Sequence, residues 1–97
     1  MADTRTKTFY IVAYDISSDK RRTKVHKLLS GYGTWTQFSL FECHLNEKQY
    51  LELRFRLAQH LKAGEDRVRF YALCRSCHDR SETLEGKLPD EPALFLV

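Results

Sequence analysis

No run of apolar residues in this chain approaches the ~20 that a membrane-crossing helix needs, so a bilayer-spanning segment is excluded by length. The opening residues, MADTRTKT, lack the apolar core of a secretory signal, and a cytoplasmic location is expected. Cysteine is scarce and odd in number, three in 97 residues, which excludes a fully paired disulfide framework and suits a reducing compartment. Only four glycines and two prolines are present, and nowhere do they build a linker, so one domain over 1–97 is expected, with its core at about 8–75 and a tail with a terminal strand at 76–97. Net charge is small as well, +3, and by itself marks no nucleic-acid binder. Its distribution is more telling. Residues 20–27 hold Lys20, Arg21, Arg22, Lys24 and Lys27 with no acid among them, whereas Asp79, Glu82, Glu85, Asp90 and Glu91 crowd the other end.

What is present is organised around FYIVAYDIS, residues 9–17. Alternation puts Phe9, Ile11, Ala13 and Asp15 on one face and Tyr10, Val12 and Tyr14 on the other, so neither is a plain solvent face. Helices can cover one face of such a strand in a chain this short. The cover expected for the other is a second copy of the chain, which makes a homodimer.

A helix is expected over 18–31, capped by Ser17 or Ser18, with Val25, Leu28, Leu29 and Tyr32 on one stripe, Gly31 as C-cap and Gly33 as a flexible point. TWTQFSLFECHL, residues 34–45, is extended, either as one long strand or as two short ones bent near Phe38 or Ser39. Asn46 and Gln49 spell a capping box for a helix from 47 to about 63. That helix carries two apolar stripes, Tyr50, Leu53, Leu57, Leu61 and Leu51, Phe55, Ala58, with Arg54 between them, either snorkelling or paired across an interface. RVRFYALC, residues 67–74, is a strand, and the polar, Gly- and Pro-interrupted stretch 75–92 holds no element before the terminal apolar ALFLV. The order βαββαβ, closed by an extra C-terminal strand, is the α+β ferredoxin-like plan.

Four constellations can carry chemistry. Asp15 ends the central strand, where α/β folds gather ligand groups, and magnesium takes only one or two protein carboxylates; two copies of Asp15 across a dimer axis would share one cation. A turn cap with Ser17 and Ser18 is the alternative. The five cations of residues 20–27 are either a solvated face or a phosphate-backbone contact that reads no sequence. Ser39, beside Phe41 in QFSLFE, either bonds its hydroxyl to backbone or makes a polar contact beside Asp15. Cys74, Arg75, Ser76, Cys77 and His78 spell C-x-x-C-H, but haem attachment needs export and zinc needs four ligands, with Cys43, His44 or His60 as distant recruits. A buried thiol at a strand end is the expectation there.

Together, the strand ending in YDIS, the KRRTKVHKLL helix, the YG turn, QFSLFE, the DRVRFYALC strand and the cysteine pair resemble the CRISPR-associated Cas Two family, from about Phe9 to Gly86. The resemblance implies a ferredoxin-like homodimer, a magnesium-dependent endonuclease acting on RNA or double-stranded DNA, and a bridge between dimers of the Cas One integrase in spacer acquisition. It places the family's metal-binding Asp on Asp15, its neighbouring Tyr on Tyr14, its basic helix start on Lys20, Arg21 and Arg22, and its Ser-x-Phe motif on Ser39 and Phe41. Trp35 and Thr36 depart from it, standing where many members carry an Arg. Two functions of different class follow. In one, paired Asp15 carboxylates hold magnesium while Arg21 or Arg22 positions the phosphate backbone, with His26 a base only if it faces the site. In the other, the protein is a non-catalytic adaptor whose basic helices cradle DNA for the integrase.

Overall fold

A computed structural model of the chain describes residues 6–86. Its elements are β1 (Thr8–Asp15), α1 (Asp19–Ser30), β2 (Thr34–Gln37), β3 (Leu40–Leu45), α2 (Glu47–Ala58), β4 (Arg67–Leu73) and α3 (Arg75–Asp79). The strands form one antiparallel sheet in the order β2-β3-β1-β4. β1 is central. Val12 lies opposite Phe41 on β3 and Phe70 on β4, while its neighbour Ile11 lies opposite Glu42 and Tyr71, so alternation sorts the whole sheet into two faces.

The face of Val12, Tyr14, Phe41 and Cys43 packs against Val25 and Leu29 of α1 and Leu53 and Leu57 of α2, and this is the core. Full burial of each aliphatic side chain contributes about 1.5–3 kcal/mol, several times a surface pair on a helix, so these stripes decide which way the two helices face. The other face has no such layer among the described residues. Only Phe9 is covered, by His78 of α3, with ring centroids 4.5 Å apart. Ile11 and Ala13 are half-buried there and Tyr71 is exposed. No helix among the described residues is long and apolar enough to cross a membrane.

Local chemistry explains most element ends. Ser18 caps α1 by accepting from the Arg21 amide at 3.3 Å. Asn46 and Gln49 form the reciprocal capping box of α2, at 2.8 and 2.9 Å. The alternatives for residues 34–45 resolve into a hairpin, β2 and β3, turning at Phe38 and Ser39; Phe38 sits at φ 41°, in the left-handed region costly for a side chain of its size.

Four expectations need correction. α2 ends at Ala58 rather than near 63, because Gln59, His60 and Leu61 bond three residues back and the Lys62 amide turns to the Asp66 carboxylate at 2.9 Å. The second apolar stripe of α2 is not core, since Leu51, Phe55 and Ala58 are exposed. Gly33 is required by close approach rather than flexibility: a Cβ there would collide with Cys43 Sγ and lie 2.5 Å from the Glu42 carbonyl oxygen. The stretch after β4 holds a helix, α3, and Cys74, expected buried, is its exposed N-cap. Arg54 agrees with the snorkelling alternative: it is exposed, with its guanidinium 5.5 Å above the Tyr50 ring, a cation–π contact within one helix. The terminal strand expected from ALFLV lies outside the described residues.

Candidate active site and nucleic-acid interface

Asp15 closes β1 on the face that α1 and α2 leave open, in register opposite Arg67. It is exposed. The capping alternative fails for an identifiable reason: Ser18 caps α1 by itself, and Ser17 turns to Asp66 and Glu65, its amide 3.3 Å from Asp66 Oδ1 and its hydroxyl 3.2 Å from Glu65 Oε1. Among the described residues the Asp15 carboxylate has neither a hydrogen bond nor an ion pair. It is therefore available to a ligand. One carboxylate alone is thin, however, and no group of three His, Cys, Asp or Glu side chains suited to a metal gathers among the described residues.

The basic run divides. No acid lies within residues 20–27, yet the fold supplies Arg21 with two from the α2–β4 loop: its Nε donates to Asp66 Oδ2 at 2.6 Å and its Nη2 to Glu65 Oε1 at 3.4 Å. The Asp66 side chain has no solvent exposure. The Arg21 guanidinium, with help from the Lys62 and Ser17 amides, holds its carboxyl down to about 2. Arg22 pairs with Asp19 and donates to the Ile16 carbonyl at 2.7 Å. Arg21 and Arg22 are thus anchors of the helix start. Lys20, Lys24 and Lys27 fall on one stripe of α1 and have no ion-pair partner among the described residues. Lys24 and Lys27 line a groove of about 780 Å³ between α1 and α2, joined there by Lys7, Arg56 and His60. It lies on the helix side of the sheet, across from Asp15.

The supporting residues sit on the helix side as well. Tyr14 is buried, and its hydroxyl lies 3.2 Å from His26 Nδ1. Desolvation pushes its phenol up, with Arg22 nearby pulling it back. His26 packs edge-on against Phe41, so it serves the core and does not face Asp15. Phe41 is fully buried. Ser39 touches the strand end through its carbonyl, which accepts from the Tyr14 amide at 3.1 Å and closes the β1–β3 ladder one residue before Asp15.

A small antiparallel sheet with helices on one face is met again among known proteins. The family model described as CRISPR associated protein Cas2 matches residues 8–81, from the start of β1 past the end of α3. The chain belongs to the Cas2 family. It is 45% identical over 84 residues to the CRISPR-associated endoribonuclease Cas2 1 of Chloroflexus aurantiacus, covering 86% of this chain and 90% of that relative. A hypothetical protein of Thermus thermophilus, solved as a crystal structure, superposes with a TM-score of 0.75 at 41% identity, over 87% of this chain and 99% of that one. A chain in a partial Cas6-RT-Cas1–Cas2 complex superposes with a TM-score of 0.70 at 28% identity, over 79% of this chain and 90% of that one.

Within this Cas2 chain, two features of the site escaped sequence reasoning. Arg67 is Asp15's cross-strand neighbour, legible only once the β1–β4 register is known. Arg56 closes the basic groove because Tyr32 holds it, the hydroxyl accepting from Nη1 at 2.8 Å while donating to Glu52 at 2.7 Å. An Arg four residues after Glu52 on one helix face was the available signal.

Proposed function

We propose that this Cas2 chain is a CRISPR nuclease that hydrolyses phosphodiester bonds, in RNA or double-stranded DNA, with magnesium as cofactor and as a homodimer. The observation that carries the reading is the unpartnered, exposed Asp15 carboxylate at the end of the central strand, on the sheet face that the two long helices leave open. The endoribonuclease name of the Chloroflexus relative supports a nuclease acting on RNA. The element order and the strand order β2-β3-β1-β4 support a ferredoxin-like scaffold. The open face, where Ile11, Ala13, Leu40 and Tyr71 sit beside Glu42 and Arg69, supports a sheet-to-sheet twofold contact that excludes water from its apolar part.

The donor set fits magnesium, which needs few protein carboxylates and fills its remaining positions with water and phosphate oxygens. Asp15 from each protomer would hold it. When bound, the ion activates a water and neutralises charge developing on the phosphoryl oxygens. Arg67, next to Asp15 across the strands, meets the phosphate from the same face, and Lys20 in the first turn of α1 extends positive charge from the strand end. Lys24 and Lys27 hold more of the backbone without reading bases.

The Cas1-containing complex in which a relative is found supports an integrase partner, and we place the chain beside that partner in spacer acquisition in the cytoplasm. The non-catalytic adaptor role is therefore compatible with the nuclease and uses the same cations. The test is Asp15→Asn assayed on RNA and on duplex DNA with magnesium, alongside the oligomeric state. Cleavage should vanish with the dimer intact; undiminished cleavage overturns the assignment.

A further inference from the structure

The carboxyl end of β4 carries a site that the nuclease reading does not use. Cys74 is the N-cap of α3 and Cys77 stands three residues on, one helical turn away, so their side chains share a face. Both are exposed and unpaired by any disulfide. The Cys74 sulfur is in hydrogen-bonding contact with the Ser76 hydroxyl at 3.3 Å. Arg80 reaches the Cys77 sulfur at 3.7 Å from the next turn. His78 does not join them as a metal ligand: its ring lies against Phe9 and 5.5 Å from His44, and the described residues hold no metal-sized cluster. The two sulfurs are thus placed for each other.

We propose that Cys74 and Cys77 form a reversible thiol–disulfide couple, with Cys74 the attacking thiol and Cys77 the resolving one. The third cysteine shows the contrast within one chain. Cys43 is fully buried, and desolvation pushes its thiol up to about 12, whereas donors led by the Ser76 hydroxyl bring the Cys74 thiol down to about 7. The charged and titratable groups around Cys74 are Arg75, His78, Asp79 and Arg80 on α3, Lys7 ahead of β1 and His44 on β3. Cys74 opens onto a pocket of about 490 Å³ lined by Phe9 and Leu73 and by the charged groups Lys7, Arg75 and Asp79, two cations to one acid. A tripeptide-sized disulfide bearing carboxylates fits that size and charge.

The chemistry balances with such a disulfide as oxidant. The Cys74 thiolate attacks one of its sulfurs; that S–S bond breaks, one thiolate leaves, and a mixed disulfide forms on Cys74. Cys77 gives its proton to solvent, attacks the Cys74 sulfur and expels the second thiolate. Two electrons pass to the small disulfide, which becomes two thiols, and the Cys74–Cys77 bond closes. Oxidation then staples the first turn of the helix from which His78 covers Phe9.

The test uses the full chain with oxidised glutathione at pH 7, peptide mapping and alkylation kinetics. Wild type should yield an intramolecular Cys74–Cys77 disulfide, Cys77→Ser should stop at the glutathione adduct on Cys74, and Cys74→Ser, whose serine is itself a good N-cap, should yield neither rapidly. Cys74 in the folded Cys77→Ser variant should alkylate about three- to fourfold faster at pH 7 than in urea. Cys43 should stay unmodified until the protein unfolds, which certifies the fold of each variant. Only intermolecular disulfides, an adduct on Cys77 in preference to Cys74, or folded-state alkylation no faster than in urea would overturn the proposal.

Discussion

Arg21 and Asp66, 45 positions apart, meet through two N–H donors at 2.6 and 3.2 Å, on a carboxylate that water does not reach. This pair fastens the loop before β4 to the start of α1, next to the point where the strand register brings Arg67 beside Asp15. A residue with the composition of a nucleic-acid contact is here a structural clamp.

Its pH dependence has a definite sign. A carboxyl held down to about 2 in the folded state, against about 4 unfolded, contributes stability that is complete at neutral pH, fades as pH falls past about 4 and is gone below about 2. Asp66→Asn should lower Tm at pH 7 by on the order of 5 °C and flatten the acid limb of the stability curve in that window. Thermal melts from pH 7 to pH 2 check it; an unchanged acid limb would show that the clamp is not formed in solution.

The remaining cations should behave differently. Lys24→Ala with Lys27→Ala should leave Tm unchanged and weaken binding of unrelated RNA or DNA sequences alike, with the slope of log K against log salt shallower by about 2 if each lysine meets one phosphate. Arg21→Ala should instead cost stability first. Binding isotherms over a salt series decide this, and sequence-selective loss would contradict a backbone role.

Gly33→Ala isolates a steric requirement. The new methyl would meet the Glu42 carbonyl oxygen at 2.5 Å, and a backbone atom in a ladder cannot step aside as a side-chain end can. A loss of about 1–3 kcal/mol in denaturant unfolding is expected, at the level of overpacking in a core. An unchanged midpoint would mean that the α1–β2 connection is looser than the structure has it.

Periodicity carried the sheet and the helix stripes. Val25, Leu29, Leu53 and Leu57 are buried at the spacing that their side chains announce, and Asp15 is where an alternating strand stops. What stayed hidden depends on contacts distant in sequence. Leu51 and Phe55 have the same apolar chemistry as Leu53, and only the angle at which α2 meets the sheet leaves them outside. The run at residues 20–27 holds no acid of its own, and Glu65 and Asp66 fold back onto Arg21 from far along the chain. Tyr14 and His26, both polar, form a half-buried pair behind the sheet rather than part of the carboxylate site, because alternation puts Tyr14 on the face opposite its neighbour Asp15.

The proposed active centre needs Asp15 from both protomers. Wild type mixed and re-equilibrated with an equal amount of Asp15→Asn measures it directly, since half of the dimers then carry one carboxylate. If the centre is shared, magnesium-dependent cleavage falls to about a quarter of that of the same total protein as wild type. A fall to only one half would mean that each chain works alone, and would contradict the account.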